Sequence, residues 1–370
     1  MTKSNLHNWQ TKKLGEVIKL EYGKPLPDFK RKSDGAYPVY GANGEKDRTD
    51  EYYHNKQSII VGRKGSAGEI NLTEKRFWPL DVTYFVTFDE KKYDLKFLHN
   101  TLLTLELPKL AKGVKPGINR NEVYAIEVRI PPLPDQKRIV AILDEAFAAI
   151  ATAKENAEKN LQNARELFES YLQSVFANPG DGWEEKKLGE VCEFDKTPNS
   201  KSLPYIGLEH IESNSGKFIG STTPKKVKSS TFYFTDEHVL YGRLRPYLNK
   251  VLLPSFEGHC STEIFPIMPK NILYKGYLFY WLISGETVKR INATWTGARM
   301  PRANMNAVLG FEIPLPPLPE QRAVVSKLDA LSAETKKLEA LYRHKLNDLD
   351  ELKKSVLQKA FNGELTGTAS

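Results

Sequence analysis

The chain has 370 residues, 40% of them hydrophobic and 27% charged, which is too long for one ordinary core and suits two or three domains of globular type. No run of about 18 apolar residues occurs, and the opening MTKSNLHNWQTKK lacks a secretory apolar core, so neither a membrane span nor export is expected. Cys192 and Cys260 stand far apart without paired spacing, which fits a reducing cytoplasm and argues against a disulfide framework or a zinc finger.

In chain order, the first block opens at Trp9 with WQTKKLGEV and reads as strands at 59–61, 82–88 and 126–130, with a short helix at 94–107. Three loops punctuate it. YPVYGANG (37–44) combines aromatics, glycines and Asn43, which either reads adenine bidentately or closes a plain turn. IIVGRKGSAGEI (59–70) sets Arg63 and Lys64 between two glycines directly after a strand, with Ser66 following. KGVKPG (112–117) presents Lys112 and Lys115 ahead of Asn119. IPPLPDQKRIV (130–140) then opens a long helix, with a proline and an acid where a helix start favours them, and Asn178-Pro179-Gly180 stops it.

The second block opens at Trp183 with WEEKKLGEV, reads as strands at 203–208, 237–241 and 262–268, and carries a short helix at 275–284. VLYGRLRPYLNK (239–250) places Arg243 and Arg245 after Gly242. TGARMPR (296–302) places Arg299 and Arg302 ahead of Asn304. LPPLPEQRAVV (315–325) opens a second long helix that stops at Asn362-Gly363. Glycine lets backbone approach a phosphate closely, and arginine forks onto phosphate or onto guanine O6 and N7. The competing interpretation of each loop is an ordinary hairpin with solvated charges.

The two blocks are copies. Trp9 and Trp183 lie 174 positions apart, and Ile130 and Leu315 lie 185 apart. Asn119, Asn121 and Val123 match Asn304, Asn306 and Val308. Ser170, Leu172, Gln173 and Phe176 match Ser355, Leu357, Gln358 and Phe361. Four matched blocks in one order define a tandem duplication. In the first helix apolar residues recur at Ile139, Leu143, Ala146, Ile150, Ala153 and Ala157, and the stripe continues past Phe168. In the second they include Leu328, Leu338, Leu349 and Leu352. So narrow a stripe on so long a helix needs another helix beside it.

The expected fold class is therefore α+β. Two similar, mixed, β-rich globular domains (1–134 and 179–319) are separated by a pair of long antiparallel helices of coiled-coil type (135–178, and 320–370 with its C-terminal tail), with an internal pseudo-two-fold repeat. The alternative is two separate helical hairpins, each packed on its own domain.

The net charge of +8 is unevenly placed: residues 1–134 carry 23 Lys+Arg against 17 Asp+Glu and residues 183–319 carry 17 against 13, while 135–182 carry 5 against 8 and 320–370 carry 9 against 8. Two basic blocks suit two contacts with a polyanion, or serve solubility alone. Recognisable catalytic signatures are missing: no phosphate-binding G-x-x-x-x-G-K-[ST], no glycine-rich nucleotide turn, no Asn/Asp-Pro-Pro-aromatic motif and no Gly-x-Ser-x-Gly elbow. His259-Cys260 has no second pair at ligand spacing and reads as a buried polar residue beside a small apolar one. No catalytic residue, metal or cofactor is expected.

The doubled W-x-x-x-K-L-G-E-V, YPVYGANG, the V-G-R-K-G-S-x-G loop and above all the paired P-P-L-P-[DE]-Q segments make nearly the whole chain resemble the specificity subunits of type I restriction–modification systems. The resemblance implies two target-recognition domains, each reading one half of a split double-stranded DNA target. It also implies paired helices that act as a ruler and dock two modification (methyltransferase) subunits, joined by motor–nuclease restriction subunits. Adenine methylation and DNA cleavage would belong to those partners. The expected DNA contacts are Asn43, Arg63, Lys64, Ser66, Lys112, Lys115, Arg243, Arg245, Arg299 and Arg302. The expected spacer and partner-binding positions are Ile139, Leu143, Ile150, Phe168, Leu328, Leu338, Leu349 and Leu352. The second block departs from YGANG, so nothing is carried over there. Two other readings stay open: a stand-alone DNA-binding or antirestriction adaptor, and a nuclease, for which Pro27-Asp28 and Pro134-Asp135 lack a partner acid.

Overall fold

The computed structural model describes residues 8–297 and 299–365, which pack as two units. Unit 1 takes the chain up to Ala157 and again from Lys345, and unit 2 runs from Glu158 to His344. The division falls inside both long helices rather than at their ends.

Unit 1 begins with β1 (Gln10–Lys13), the one-turn α1 (Leu14–Val17) and β2 (Ile18–Tyr22). It continues through β3 (Tyr37–Gly41), β4 (Gly44–Thr49), β5 (Ser58–Gly62), β6 (Ile70–Thr73), β7 (Trp78–Pro79) and β8 (Thr83–Phe88) to α2 (Leu95–Thr104), α3 (Arg120–Tyr124) and β9 (Glu127–Ile130). A four-stranded sheet of order β2-β8-β5-β6 carries the core. All five residues of β5 are buried, as a strand covered on both faces should be. A three-stranded sheet, β4-β3-β7, flanks it, and β1 pairs antiparallel with β9. That last pairing joins the two ends of the globular block, so the long helix α4 (Leu133–Ala177) departs beside the point where the block began.

Unit 2 repeats the plan with β10 (Glu184–Lys187), α5 (Leu188–Val191), β11 (Cys192–Phe194), β12 (Tyr205–Ile206), β13 (Thr231–Phe234), β14 (Val239–Gly242), β15 (Val251–Leu252), β16 (Gly258–Ser261) and β17 (Ile264–Pro269). Then come α6 (Lys275–Ile283), α7 (Gly285–Asn292), α8 (Met305–Leu309), β18 (Glu312–Leu315) and the second long helix, α9 (Leu318–Phe361). Its sheets are β11-β17-β14-β15 and β12-β16-β13, with β10 paired to β18. The strands expected at 59–61, 82–88 and 126–130 are β5, β8 and β9, and those at 237–241 and 262–268 are β14 and β17.

Each unit contains half of both long helices, and in each the halves run antiparallel. In unit 1 Lys154 pairs with Asp350 at 2.8 Å, while Ile139, Leu143 and Ala360 share a core. In unit 2 Arg165 pairs with Glu339 at 3.2 Å, and Leu172 shares a core with Val325 and Leu328. The helix ends pack on the globular blocks in matching fashion, Phe361 on Phe97 (ring centroids 5.2 Å apart) and Phe176 on Tyr277 (5.3 Å). Two helical hairpins that each serve one domain are thereby ruled out.

The stripe residues mostly point inward. Ile139, Leu143, Ile150 and Leu328 are buried, and Phe168, Leu338 and Leu349 are half-buried, so their side chains pack within this chain rather than waiting for a partner. Leu352 is the exception at 48% exposed. The inward row passes from Leu349 to Val356, and Lys353 lays its ammonium 5.1 Å from the ring centre of Phe147. Among the described residues no helix is long and apolar enough to cross a membrane.

Candidate nucleic-acid interface

The basic loops picked out singly in the sequence meet in pairs. In unit 1 the loop after β5 bonds to the loop before α3 through main-chain groups alone: Gly65 N donates to Pro116 O (2.9 Å) and Ile118 N to Arg63 O (3.1 Å). Lys112 and Gly117 exchange two bonds of 3.0 Å, and Arg63 N donates to Val82 O (2.9 Å) in the turn between β7 and β8. Unit 2 reproduces this lattice. Arg245 N donates to Pro301 O (2.7 Å), Ala303 N to Arg243 O (2.9 Å), Thr296 and Arg302 exchange two bonds of 3.1 Å, and Arg243 N donates to Glu263 O (2.9 Å). The equivalences follow bond by bond: Arg63 with Arg243, Gly65 with Arg245, Gly117 with Arg302, and Val82 with Glu263.

Glycine is required at the base of the first loop. A Cβ on Gly62 would sit 2.1 Å from Ser66 O and 2.6 Å from Ala42 O, so the loop rests on the β3–β4 turn that carries exposed Asn43. In unit 2 a Cβ on Gly242 would sit 2.6 Å from a side-chain carbon of Leu208, just past β12, which makes Tyr205-Ile206-Gly207 the place of the divergent counterpart to YGANG. Gly65 adopts φ +80°, and its equivalent Arg245 is held at φ +53°, a left-handed conformation that L residues adopt at a cost.

Lys64, Ser66, Lys112, Lys115, Arg245 and Arg299 are exposed, and Lys112 also pairs with Glu122 at 2.8 Å. Ala298 lies outside the described residues. Arg63 is half-buried: Nε and Nη2 donate to Asp81 O at 3.0 and 2.5 Å, and its guanidinium carbon lies 5.4 Å from the ring centre of Tyr22 and 6.0 Å from that of Tyr84. Arg120 stacks on Tyr22 at 5.1 Å. Burial, with Tyr22 adding to it, pushes the Tyr84 phenol up to about 12, so this ring stays neutral beside the two cations.

Arg243 and Arg302 have an anchor that the sequence did not indicate. They are not free cations, because both bind the carboxylate of Glu263. Arg243 Nε reaches it at 3.0 Å, and Arg302 reaches it with Nε (3.0 Å) and Nη2 (2.8 Å). Burial raises the Glu263 carboxyl, but the hydrogen bonds and charges of Arg302 and Arg243 outweigh it and hold the group below its ordinary value. Nothing in the sequence flags Glu263, since the same turn position in unit 1 is a valine.

Asn119 and Asn304 are helix caps, accepting from Asn121 N (2.9 Å) and Ala307 N (3.3 Å). His259 is buried, with Nε2 at 3.1 and 2.9 Å from the carbonyls of Leu203 and Lys225 and Nδ1 3.1 Å from the Thr231 hydroxyl, which makes it a strut of the β12-β16-β13 sheet. Burial raises the neighbouring Cys260 thiol, and among the described residues no three His, Cys, Asp or Glu stand where they could hold a metal ion.

The sequence reading also missed Gln136 and Gln321, the last residues of the paired P-P-L-P-[DE]-Q segments. Both are fully buried. The Gln136 amide accepts from Asp94 N (2.8 Å) and donates to Lys92 O (3.1 Å) and Pro131 O (2.9 Å). Gln321 does the same with Tyr274 N (2.7 Å), Ile272 O (2.9 Å) and Pro316 O (2.8 Å). Each glutamine clamps the start of a long helix to the globular block before it. Their repetition at one offset was the available signal.

This duplicated frame, with two cationic loop pairs on β-rich domains and two long helices, is that of a DNA-specificity protein. The type I restriction modification DNA specificity domain matches residues 7–161 and again 180–347, and the chain belongs to that family. It is a specificity subunit of a type I restriction–modification system with two target-recognition domains. Among its relatives, the type I restriction enzyme EcoDI specificity subunit of Escherichia coli is 25% identical over 402 aligned positions, covering 97% of this chain and 89% of the relative. The MjaVIII specificity subunit of Methanocaldococcus jannaschii is 23% identical, covering 97% and 93%. Two solved structures share the fold. One is a chain from a study of complex assembly and conformational transition in the type I system (TM-score 0.72, 19% identity, 98% and 100% covered), and the other is the HsdS subunit of Thermoanaerobacter tengcongensis (0.59, 18%, 97% and 97%).

Proposed function

We propose that this chain reads a two-part DNA target, one half with the loop pair of each unit, and performs no chemistry of its own. Phosphate contacts from Lys64, Lys112, Lys115, Arg245 and Arg299 set position, while a few side chains on the same loops, Asn43 among them, face base edges. The long helices hold the two readers at a fixed interval and dock two modification subunits, which methylate adenine, and motor–nuclease subunits complete the restriction complex. Half-sites read from one face of the duplex are centred about one helical turn, roughly 10 base pairs, apart.

One observation carries this reading: a single main-chain lattice is built twice and dressed with different side chains each time. That is what two readers of different sequences on a shared frame require. Co-expression with the modification subunit, followed by mapping of methylated adenines, tests it. A split motif with a constant gap is expected; an undivided motif, or methylation independent of this chain, would overturn the proposal.

A further inference from the structure

Equivalent arginines in the two units are anchored differently. Arg243 is held by Nε alone, 3.0 Å from Glu263 Oε2, with its planar carbon 5.2 Å from the centre of the Phe265 ring. Its two terminal nitrogens have no protein partner among the described residues, and 31% of the side chain is exposed. Glu263 cannot swing away from it, because Arg302 grips the same carboxylate with Nε and Nη2. In unit 1 Arg63 instead engages Nε and Nη2 on the Asp81 carbonyl, and Val82 stands where a carboxylate would be needed.

A guanidinium fixed at Nε presents Nη1 and Nη2 end-on as two parallel donors. Guanine is the base whose major-groove edge offers two acceptors, N7 and O6, to such a fork. Arg63 uses Nε and one Nη2 hydrogen on the Asp81 carbonyl and keeps its other Nη2 hydrogen beside Nη1, so what sets it apart is its anchor, a neutral carbonyl in place of a carboxylate. Arg302 differs from Arg243 in that its Nη1 also donates to Met300 O at 3.4 Å, so one of its terminal nitrogens already has a main-chain partner.

We infer that Arg243 reads a guanine in the half-site of unit 2, with Glu263 and Arg302 as positioning residues. This rests on the reading under Proposed function. The test uses the full chain assembled with its modification subunit and compares methylated-site maps for the wild type, Arg243→Lys, Arg243→Ala, Glu263→Gln and Arg63→Ala.

One G·C position in one half-site should lose at least about fivefold of its discrimination in Arg243→Ala, with every other position kept. Glu263→Gln should relax that same position by less, whereas a change elsewhere would refute its positioning role. Arg63→Ala, in the other unit, should leave the preference at that position intact, and a loss there would overturn the assignment. Arg243→Lys also has donors for guanine O6 and N7 and should retain more of the preference than Arg243→Ala; an assembled Ala variant that keeps the full motif would overturn the assignment, as would a wild-type half-site lacking the G·C pair. A wild-type map with no split motif would instead defeat the underlying reading, and the two failures are distinct.

Discussion

Single residues carry opposite duties in the two lobes, and Arg245 shows the conflict most clearly. Its left-handed backbone is the one Gly65 adopts freely, so Arg245→Gly removes strain, offset in part by the extra freedom of glycine in the unfolded chain. The variant should unfold at equal or higher denaturant, with a gain of up to about 1 kcal/mol, yet bind DNA less tightly and with a shallower salt dependence, by about one phosphate contact. Loss of stability together with unchanged binding would show that the arginine serves the fold instead. Gln136 lies at the other extreme. Gln136→Leu keeps the volume but strands the Asp94 amide and two carbonyls inside the protein, at a cost of about 3 kcal/mol or more in chemical unfolding, since each of the three buried orphans costs roughly 1–3 kcal/mol. A loss under 1 kcal/mol would mean that water reaches the site.

At the scale of elements, the sequence was legible where periodicity or repetition spoke. The long helices were readable because their stripe persists over many turns. The expected helix start at 135 falls two residues inside α4, because Leu133 and Pro134 already adopt helical geometry. β1 (QTKK) and β10 (EEKK) escaped notice because no alternation marks them; they are strands only because β9 and β18 pair with them. β15 and β16 are short, and β16 contains a glycine, a histidine and a cysteine, none of them strand signals. Arg63 and Arg243 were identified from glycine-flanked basic loops, but the pairing of loops distant in sequence could not be read from either loop alone. Leu352 was set on the apolar stripe by spacing alone, and it stands exposed beside the inward row. Ile139→Ala should therefore cost about 2–5 kcal/mol on unfolding, as buried isoleucines do, whereas Leu352→Ala should stay within about 0.5 kcal/mol. Comparable losses would restore Leu352 to the seam.

For the whole molecule, the proposed role of the helices sets a length rule. Adding seven residues, two turns, at matched places in α4 and α9 lengthens each by about 10.5 Å, or roughly three base pairs at 3.4 Å per step. The mapped target should then keep both half-sites and widen only its gap. An unchanged gap would separate the helices from any measuring role and leave them as docking surfaces alone.

The bonds that join the loop pair of unit 1 run from amide to carbonyl, and unit 2 repeats them and adds one side-chain tie, the Glu263 carboxylate held by Arg243 and Arg302. Outside the few glycines that the turn geometry demands and the Glu263 tie of unit 2, the main-chain platform is therefore indifferent to which residues ride on it. A handful of codon changes can rewrite the address while the scaffold and its attachment to the helices stay as they were. Such a chain can acquire new targets by point substitution in one lobe at a time, with the other lobe continuing to work throughout.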